Sequence, residues 1–197
     1  MPRVLIITPT YDERENLPEL AAGIFAVLPE ANLLVVDDAS PDGTGDVADQ
    51  MASTDARVHV MHRAGKQGLG TAYLAGFAWA IEHGYDYILQ MDADLSHDPR
   101  YLPDFLRALD EGADLAIGSR NIPGGGVEGW GPVRHFISKG GSLYSRVILG
   151  LGVRDLTSGY KAFRRTLLQS IDLADVSSRG YSFQIEVTYR AILRRFR

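Results

Sequence analysis

The chain has 197 residues, of which 45% are hydrophobic and none is cysteine, and its formal net charge is −5. This length and hydrophobic fraction suit one domain with a large buried core and exclude a disordered chain. The acidic balance argues against a nucleic-acid-binding protein, and the lack of cysteine excludes a disulfide framework, a zinc–thiolate site and a cysteine nucleophile.

Short apolar segments alternate with amphipathic segments through the first part of the chain. The apolar segments are rich in β-branched and aliphatic residues and predict buried strands at residues 4–7, 33–36, 58–61, 87–91 and 115–117. The segments between them have helical spacing and predict helices at residues 17–28, 44–51, 71–83 and 101–109. This alternation predicts an α/β fold with a mostly parallel central sheet and helices on both faces.

The pattern changes after Arg120. Residues 123–132 hold a glycine run between two prolines and predict a long loop that carries Trp130, and loops of this length often act as lids. Beyond it, residues 133–149 and 183–196 predict helices and residues 160–163 predict a strand. We expect residues 1–197 to form a single domain.

Polar clusters follow three of the predicted strands, at residues 8–13, 37–44 and 92–94. Because the carboxyl ends of parallel strands meet at one edge of a sheet, we expect the clusters to converge on one ligand site. Asp42 and Thr44 also fit an ordinary turn and helix cap, so both interpretations stay open for them. Asp38 favours a functional role, since burying adjacent carboxylates is costly.

Asp92 and Asp94 indicate a metal site most directly. In an extended chain, residues two apart project to the same side, so both carboxylates can reach one point. Two such charges repel each other unless a cation lies between them, and oxygen ligands favour Mg²⁺ or Mn²⁺. Mg²⁺ takes its other ligands from phosphate and water, which implies a diphosphate ligand. His97 and Asp98 fit a polar loop before the helix start at Pro99 rather than a zinc site.

These motifs together resemble the GT-A-fold family 2 glycosyltransferases over essentially the whole chain. Four segments carry the resemblance: residues 9–16 (PTYDEREN), 36–44 (VDDASPDGT), 92–97 (DADLSH) and 118–120 (GSR). Two further features, the set Trp130, Arg134 and Ser138 and the D-x-T-S-G segment at residues 155–159, are similar to the branch of polyprenol (dolichol) monophosphate mannose synthases. The resemblance implies a GT-A fold with a Rossmann-like nucleotide-sugar-binding half and an acceptor-side half.

The resemblance also implies roles for the matched residues. Asp92 and Asp94 would bind the metal, and Asp94 and Arg120 would be catalytic. Arg134, Ser138 and Lys139 would bind the acceptor phosphate. The donor would be held by a larger set: Pro9, Tyr11, Glu13, Val36, Asp38, Asp92, Ala93, Asp94, Ser96, Arg120 and Arg165. Many relatives have glutamine where this chain has Ser96.

The implied reaction is an inverting transfer of mannose from GDP-mannose to a polyprenyl or dolichyl monophosphate, with Mg²⁺ or Mn²⁺ as cofactor. A lipid monophosphate has a second pKa near ~6 and is largely dianionic at neutral pH, so it needs positive charge rather than a general base. The same fold with a UDP-sugar donor (glucose or GlcNAc type) or another acceptor remains an alternative. A dinucleotide-dependent oxidoreductase is disfavoured, because residues 8–11 stand where its G-x-G-x-x-G motif would follow the first strand.

The lipid acceptor bears on where in the cell the protein would act. The sequence has no apolar run approaching the ~18 residues of a membrane span. We therefore expect a cytoplasmic protein, peripheral at the cytosolic face of a membrane. The arginines at positions 190, 194, 195 and 197, a membrane-embedded partner protein or a missing domain would bring it to the lipid. Relatives continue past the position of Arg197 with a further strand and a basic loop, so the chain looks truncated at its C-terminus. We expect no nucleic-acid partner.

Overall fold

The computed structural model describes residues 1–119, 155–176, 178 and 180–197. The strands in these residues are β1 (Val4–Thr10), β2 (Asn32–Asp37), β3 (Val58–His62), β4 (Tyr87–Gln90), β5 (Leu115–Ile117) and β6 (Lys161–Arg164). The helices are α1 (Asn16–Val27), α2 (Thr44–Thr54), α3 (Leu69–Glu82), α4 (Leu102–Asp110), α5 (Arg165–Ser170) and α6 (Tyr181–Leu193). Short 3₁₀ turns cover Pro99–Tyr101 and Leu173–Asp175.

The strands form one sheet in the order β3-β2-β1-β4-β6-β5. Strands β1 to β4 pair in parallel, whereas β6 is antiparallel to both of its neighbours, β4 and β5. The carboxyl ends of β1, β2 and β4 therefore lie along the same edge of the sheet. The predicted α/β fold with a mostly parallel sheet is confirmed.

Helices cover both faces of the sheet, and each face has its own hydrophobic core. Side chains of α1, α2 and α4 pack against Ile6, Val35 and Leu89 on one face. Side chains of α3, α5 and α6 pack against the other face. Strands buried on both faces cannot alternate polar and apolar residues, which explains the continuous apolar runs in the sequence.

Glycine allows helix α3 to approach the sheet closely. A Cβ added to Gly76 would lie 2.6 Å from Cγ2 of Ile7, which is closer than two carbon atoms can pack. This close contact lies at the middle of α3, whose first turn borders the cleft described below.

The structure extends or adds some of the predicted elements. The first strand was predicted to end at Ile7, but it continues to Thr10, because Thr8 and Thr10 are buried and pair with Val35 and Asp37 of β2. Helix α5 was not predicted, since its six residues are too few to show helical periodicity. The predicted loop at 123–132 and the predicted helix at 133–149 lie outside the described residues. In the described part of the chain, no helix combines the length and the apolar character needed to cross a bilayer.

Candidate active site

A cleft of about 250 Å³ opens at the carboxyl edge of the sheet. All three polar clusters contribute to its wall, together with the start of α3 and the segment before it. Its lining among the described residues consists of Pro9, Thr10, Tyr11, Glu13, Asp38, Lys66, Gly68, Leu69, Ala72, Asp92, Ala93 and Asp94. The predicted convergence of the clusters on one edge is confirmed.

Each of the three loops that follow β1, β2 and β4 contains a non-glycine residue with positive φ. These residues are Asp12 (φ 61°), Ala39 (φ 56°) and Leu95 (φ 59°). Residues other than glycine rarely adopt this left-handed backbone conformation. It costs of order 1 kcal/mol or more and persists where surrounding contacts hold it. The three loops around the cleft are therefore held in specific, strained shapes.

Asp42 and Thr44 hold the first loop against the start of α2. The backbone N–H of Arg14 donates to Asp42 Oδ2 at 3.1 Å, and the N–H of Glu13 donates to Thr44 Oγ1 at 3.0 Å. Thr44 donates to Asp42 Oδ1 through its hydroxyl at 2.6 Å, and this hydrogen bond is the main cause that lowers the pKa of Asp42. These contacts are those of a turn, while the N-cap of α2 is Gly43 and makes no side-chain cap hydrogen bond.

Asp37 also links two neighbouring segments, but through a buried carboxylate. Its carboxylate is buried and accepts hydrogen bonds from the hydroxyl of Thr10 at 2.9 Å and from the hydroxyl and backbone N–H of Ser40 at 2.6 and 3.1 Å. Asp37 thus ties the end of β1 to the loop after β2 and leaves the cleft to Asp38.

Asp38 lies in the cleft wall beside a segment that precedes α3. Its Oδ1 is 2.8 Å from Nη1 of Arg63, and its Oδ2 accepts the backbone N–H of Gln67 at 3.1 Å. Farther out, the ammonium of Lys66 lies 3.6 Å from the ring centre of Tyr11. This end of the cleft therefore combines a carboxylate with an aromatic ring and cations.

Asp92 is anchored from two directions. The hydroxyl of Tyr73, from α3, donates to Asp92 Oδ1 at 2.7 Å. The backbone N–H of Asp92 donates to Nδ1 of His97 at 3.0 Å, and the His97 ring stacks on Tyr160 with centroids 4.7 Å apart. Burial raises the pKa of Tyr73 well above its usual value, and the negative charge of Asp92 raises it further. The hydroxyl of Tyr73 therefore keeps its proton. His97 therefore supports the loop that follows β4.

Asp94 is exposed, and its Oδ1 accepts the backbone N–H of Ser96 at 3.0 Å. Together, Asp92 and Asp94 provide carboxylate oxygens at the cleft wall. In the described ranges, no cluster of three or more His, Cys, Asp or Glu residues could hold a metal ion. Two carboxylates fit Mg²⁺ or Mn²⁺, which completes its coordination with phosphate oxygens and water, and they do not fit a closed all-protein site.

Two of the residues assigned to the donor, Arg165 and Val36, are absent from the cleft lining. Arg165 pairs with Asp86 at 3.3 Å and donates its backbone N–H to the Asp86 carbonyl, at the amino end of β4. Because β6 is antiparallel to β4, it takes the chain away from the cleft before Arg165, so the prediction that Arg165 reaches the donor is wrong for this structure. Val36 packs its side chain fully within the core, which leaves only its backbone for a ligand.

The other predicted donor residues in the described ranges lie in the cleft wall or beside it. Pro9, Tyr11, Glu13, Asp38, Asp92, Ala93 and Asp94 all line the cleft. Ser96 lies beside Asp94 in an exposed turn. Arg120, Trp130, Arg134, Ser138 and Lys139 lie outside the described residues, so their assignments stay predictions.

Sequence reasoning missed Tyr73, Arg63 and Gly159. Tyr73 lies among apolar residues in the middle of a helix, where an aromatic residue looks like any core side chain. Gly159 approaches Asp92 so closely that an added Cβ would lie 3.1 Å from Asp92 Oδ2. The D-x-T-S-G segment pointed to the Gly159 region, but a pattern alone does not tell which residue it contacts.

Comparison with known proteins identifies similar chains. The family model described as "Glycosyl transferase family 2" matches residues 5–172. Polyprenol monophosphomannose synthase of Mycolicibacterium smegmatis is 54% identical over 191 residues, which cover 96% of this chain and 72% of the relative. Undecaprenyl-phosphate mannosyltransferase of Micrococcus luteus is 53% identical over 188 residues, which cover 95% of this chain and 77% of the relative.

The fold is similar to that of a solved glycosyltransferase. Glucosyl-3-phosphoglycerate synthase from Mycobacterium tuberculosis, in complex with Mn²⁺, uridine-diphosphate-glucose and phosphoglyceric acid, has a TM-score of 0.72 to this chain. The sequence identity is 20%, and the match covers 98% of this chain and 66% of that one. At this identity the likeness concerns the fold, and it identifies the architecture as GT-A.

Proposed function

Because the chain belongs to glycosyl transferase family 2, we propose that it transfers mannose from GDP-mannose to the phosphate of a polyprenyl monophosphate. The names of the two curated relatives support the sugar and the acceptor class, since both relatives are more than half identical to this chain. The chain is thus a glycosyltransferase, as its motifs predicted, and the finer assignment of donor and acceptor is our proposal.

The observation that carries the proposal is the content of the cleft. Asp38 follows β2 and Asp92 and Asp94 follow β4, on opposite sides of β1, and Lys66 lies over the ring of Tyr11 beside the segment that contacts Asp38. A nucleotide-sugar has a polar base and ribose at one end and a doubly charged diphosphate next to the sugar. The residues around Asp38 suit hydrogen bonding and stacking with a nucleoside, and the two aspartates after β4 suit a diphosphate bound through a cation.

At the nucleoside end, we assign Asp38 to hydrogen bonding. Its carboxylate is largely buried and held in place by Arg63 and by the N–H of Gln67. A rigid acceptor of this kind recognises N–H and hydroxyl donors with little loss of entropy on binding. Tyr11 offers a ring face beside it, which a base can stack on once the Lys66 ammonium shifts toward the phosphates.

At the diphosphate end, we assign Asp92 and Asp94 to hold Mg²⁺ or Mn²⁺. The bound cation would supply Lewis-acid stabilisation of the leaving nucleoside diphosphate. Asp92 accepts a hydrogen bond from the hydroxyl of Tyr73, whereas Asp94 is exposed. We assign Arg120 to the same diphosphate as a charge-assisted clamp.

The acceptor needs no base in this proposal. The monophosphate of the lipid is itself the nucleophile, because it is largely dianionic at neutral pH. A single in-line displacement on the anomeric carbon then inverts its configuration, and the bond to the nucleoside diphosphate breaks as the bond to the lipid phosphate forms. We assign Arg134, Ser138 and Lys139 to the acceptor phosphate, and we place the protein as a peripheral protein at the cytosolic membrane surface.

The test is a comparison of donors. The protein is incubated with Mn²⁺, polyprenyl phosphate in phospholipid vesicles, and radiolabelled GDP-mannose, UDP-glucose or UDP-GlcNAc, and label is measured in the organic extract. Of the three donors, we expect only GDP-mannose to give labelled lipid. GDP should also raise the melting temperature of the protein more than UDP does at equal concentration. Label from a UDP-sugar, with a matching preference for UDP, would replace the proposed donor by the alternative one.

A further inference from the structure

We propose that Tyr73 is a positioning residue that fixes the Asp92 carboxylate for metal binding, and that Gly159 keeps open the space into which this carboxylate is turned. The inference rests on the proposed function, because it concerns how the two aspartates of that site present their oxygens. It assigns a task to a buried hydroxyl and to the glycine of the D-x-T-S-G segment.

The hydrogen bond from Tyr73 to Asp92 has the features of an orienting contact. The Tyr73 side chain is fully buried, and its hydroxyl reaches Asp92 Oδ1 at 2.7 Å, a distance typical of a charge-assisted hydrogen bond. Asp92 itself is about 30% exposed in its side chain, so its carboxylate meets the cleft on one side and the protein on the other. The phenol therefore selects which oxygen faces inward.

The ring of Tyr73 is held by aromatic packing from two helices. It stacks on Phe183 of α6 with centroids 6.2 Å apart and an angle of 2° between the rings, and it lies 6.3 Å from Phe77 of α3. Phe183 in turn packs on Gly70, where an added Cβ would lie 3.0 Å from Cγ of the phenyl ring. Because these contacts fix the ring, they also fix the position of the hydroxyl that Asp92 meets.

Gly159 bounds the carboxylate on its other side. A Cβ at this position would lie 3.1 Å from Asp92 Oδ2 and 3.4 Å from Cε1 of His97. Asp92 Oδ2 also lies 3.9 Å from Nε2 of His97, so an alanine at position 159 would press on the carboxylate oxygen that Tyr73 does not contact. A side chain at position 159 would therefore shift the Asp92 carboxylate by a few tenths of an ångström, away from the position in which Tyr73 holds it.

Loss of the Tyr73 hydroxyl should free the Asp92 carboxylate to rotate without changing the fold. Phenylalanine keeps the ring and its stacking on Phe183, so Tyr73→Phe removes only the oxygen. Partners that orient metal-binding side chains are typically worth 10–100-fold in metal affinity. We expect Tyr73→Phe to weaken Mn²⁺ binding by roughly 10-fold or more, in line with that range.

The experiment measures Mn²⁺ affinity directly, by the electron paramagnetic resonance signal of free Mn²⁺ during titration of the protein in saturating GDP. GDP binding without metal, measured by calorimetry, should be unchanged in Tyr73→Phe. Tyr85→Phe is the matched control, because Tyr85 is also a buried tyrosine but donates to Asn32 Oδ1 at 3.1 Å, at the opposite edge of the sheet. The control should bind Mn²⁺ like the unsubstituted protein.

Two further variants make the outcome decisive. Gly159→Ala should weaken Mn²⁺ binding while leaving metal-free GDP binding intact, and Asp92→Asn should lose Mn²⁺ binding almost completely. If Tyr73→Phe binds Mn²⁺ like the unsubstituted protein, or no more weakly than Tyr85→Phe, the inference is overturned while the proposed function stands. If Asp92→Asn keeps full Mn²⁺ affinity, the metal site itself is misplaced, and the inference fails together with that part of the proposed function.

Discussion

The guanidinium of Arg63 lies 2.8 Å from the carboxylate of Asp38, and each of these two side chains is only 8% exposed. The approaching atoms, Arg63 Nη1 and Asp38 Oδ1, lack hydrogen-bond alignment with each other, so their attraction is Coulombic. Nη2 of Arg63 instead donates to Gln67 Oε1 at 2.9 Å and to Thr71 Oγ1 at 2.7 Å. Arg63 therefore links Asp38 in the cleft wall to the start of α3.

Substitution Arg63→Met should destabilise the protein strongly, since it leaves the Asp38 carboxylate buried without its cation. Removing one partner of a buried ion pair costs roughly 3–5 kcal/mol, and we expect a loss near the lower value in urea denaturation. Adding Asp38→Asn should restore part of that loss, because the uncompensated charge is removed.

The exposed pair of Arg100 and Asp98 is the matched control for this experiment. Its atoms approach to 2.6 Å, but the side chains are 72% and 40% exposed. Arg100→Met should change the free energy of unfolding by less than about 1 kcal/mol. A similar, small effect of both arginine substitutions would show that the Arg63–Asp38 pair is not a stabilising link.

Lys161 predicts a distinct pH dependence of stability. Its fully buried ammonium donates to the Gln184 carbonyl at 2.8 Å, to Gln184 Oε1 at 3.0 Å and to Thr188 Oγ1 at 2.9 Å, which ties β6 to α6. Burial lowers the pKa of Lys161 from 10.5 to about 7, and the nearby Asp155 opposes part of this shift. Below pH 7, both the folded and the unfolded protein carry this charge.

Between pH 7 and 10.5 the unfolded chain still binds a proton at Lys161 and the folded protein does not, so stability rises with pH in this window. The contribution can reach about 1.4 kcal/mol per pH unit. The unsubstituted protein should therefore gain stability relative to Lys161→Met as the pH rises from 7 to 9, measured as the difference between their free energies of unfolding. A difference that stays flat over this range would mean that Lys161 remains charged when folded.

Arg134→Ala should impair use of the lipid acceptor far more than binding of the donor. We assign Arg134 to the acceptor phosphate, and loss of one charge-assisted contact costs on the order of 1.5–3 kcal/mol. The apparent KM for polyprenyl phosphate in vesicles should therefore rise by about ten-fold or more, while calorimetry with GDP-mannose shows little change. Equal losses for donor and acceptor would place Arg134 elsewhere in the site.

Much of the fold was predictable because its strands are buried on both faces. Runs such as residues 33–36 have a strong apolar signal, and parallel order then brings their polar ends to one edge. The cleft residues Asp38, Asp92 and Asp94 followed from that rule. Their convergence needed no knowledge of side-chain contacts.

Other parts of the site depend on tertiary structure that local patterns do not contain. Arg165 was assigned to the donor through the family resemblance alone, and the sequence does not show that β6 runs antiparallel to β4 and takes Arg165 away from the cleft. Tyr73 was missed because a tyrosine on the core-facing side of a helix gives the same sequence pattern whether or not its hydroxyl bonds to a residue of the site. The same holds for Gly159, whose close approach to Asp92 joins residues far apart in the chain.

The central claim is that Asp92 and Asp94 hold a divalent cation that sugar transfer requires. Its most direct test is the rate of mannose transfer to polyprenyl phosphate in metal-stripped buffer, titrated with Mn²⁺ and compared with the rate of Asp92→Asn at every concentration. We predict no transfer with EDTA, full recovery with excess Mn²⁺, and a rate for Asp92→Asn that stays at least about 100-fold lower, since loss of a ligand should exceed loss of its orienting partner. Transfer that continues undiminished in EDTA, or an Asp92→Asn variant that reaches the normal rate at ordinary Mn²⁺ concentrations, would contradict the account.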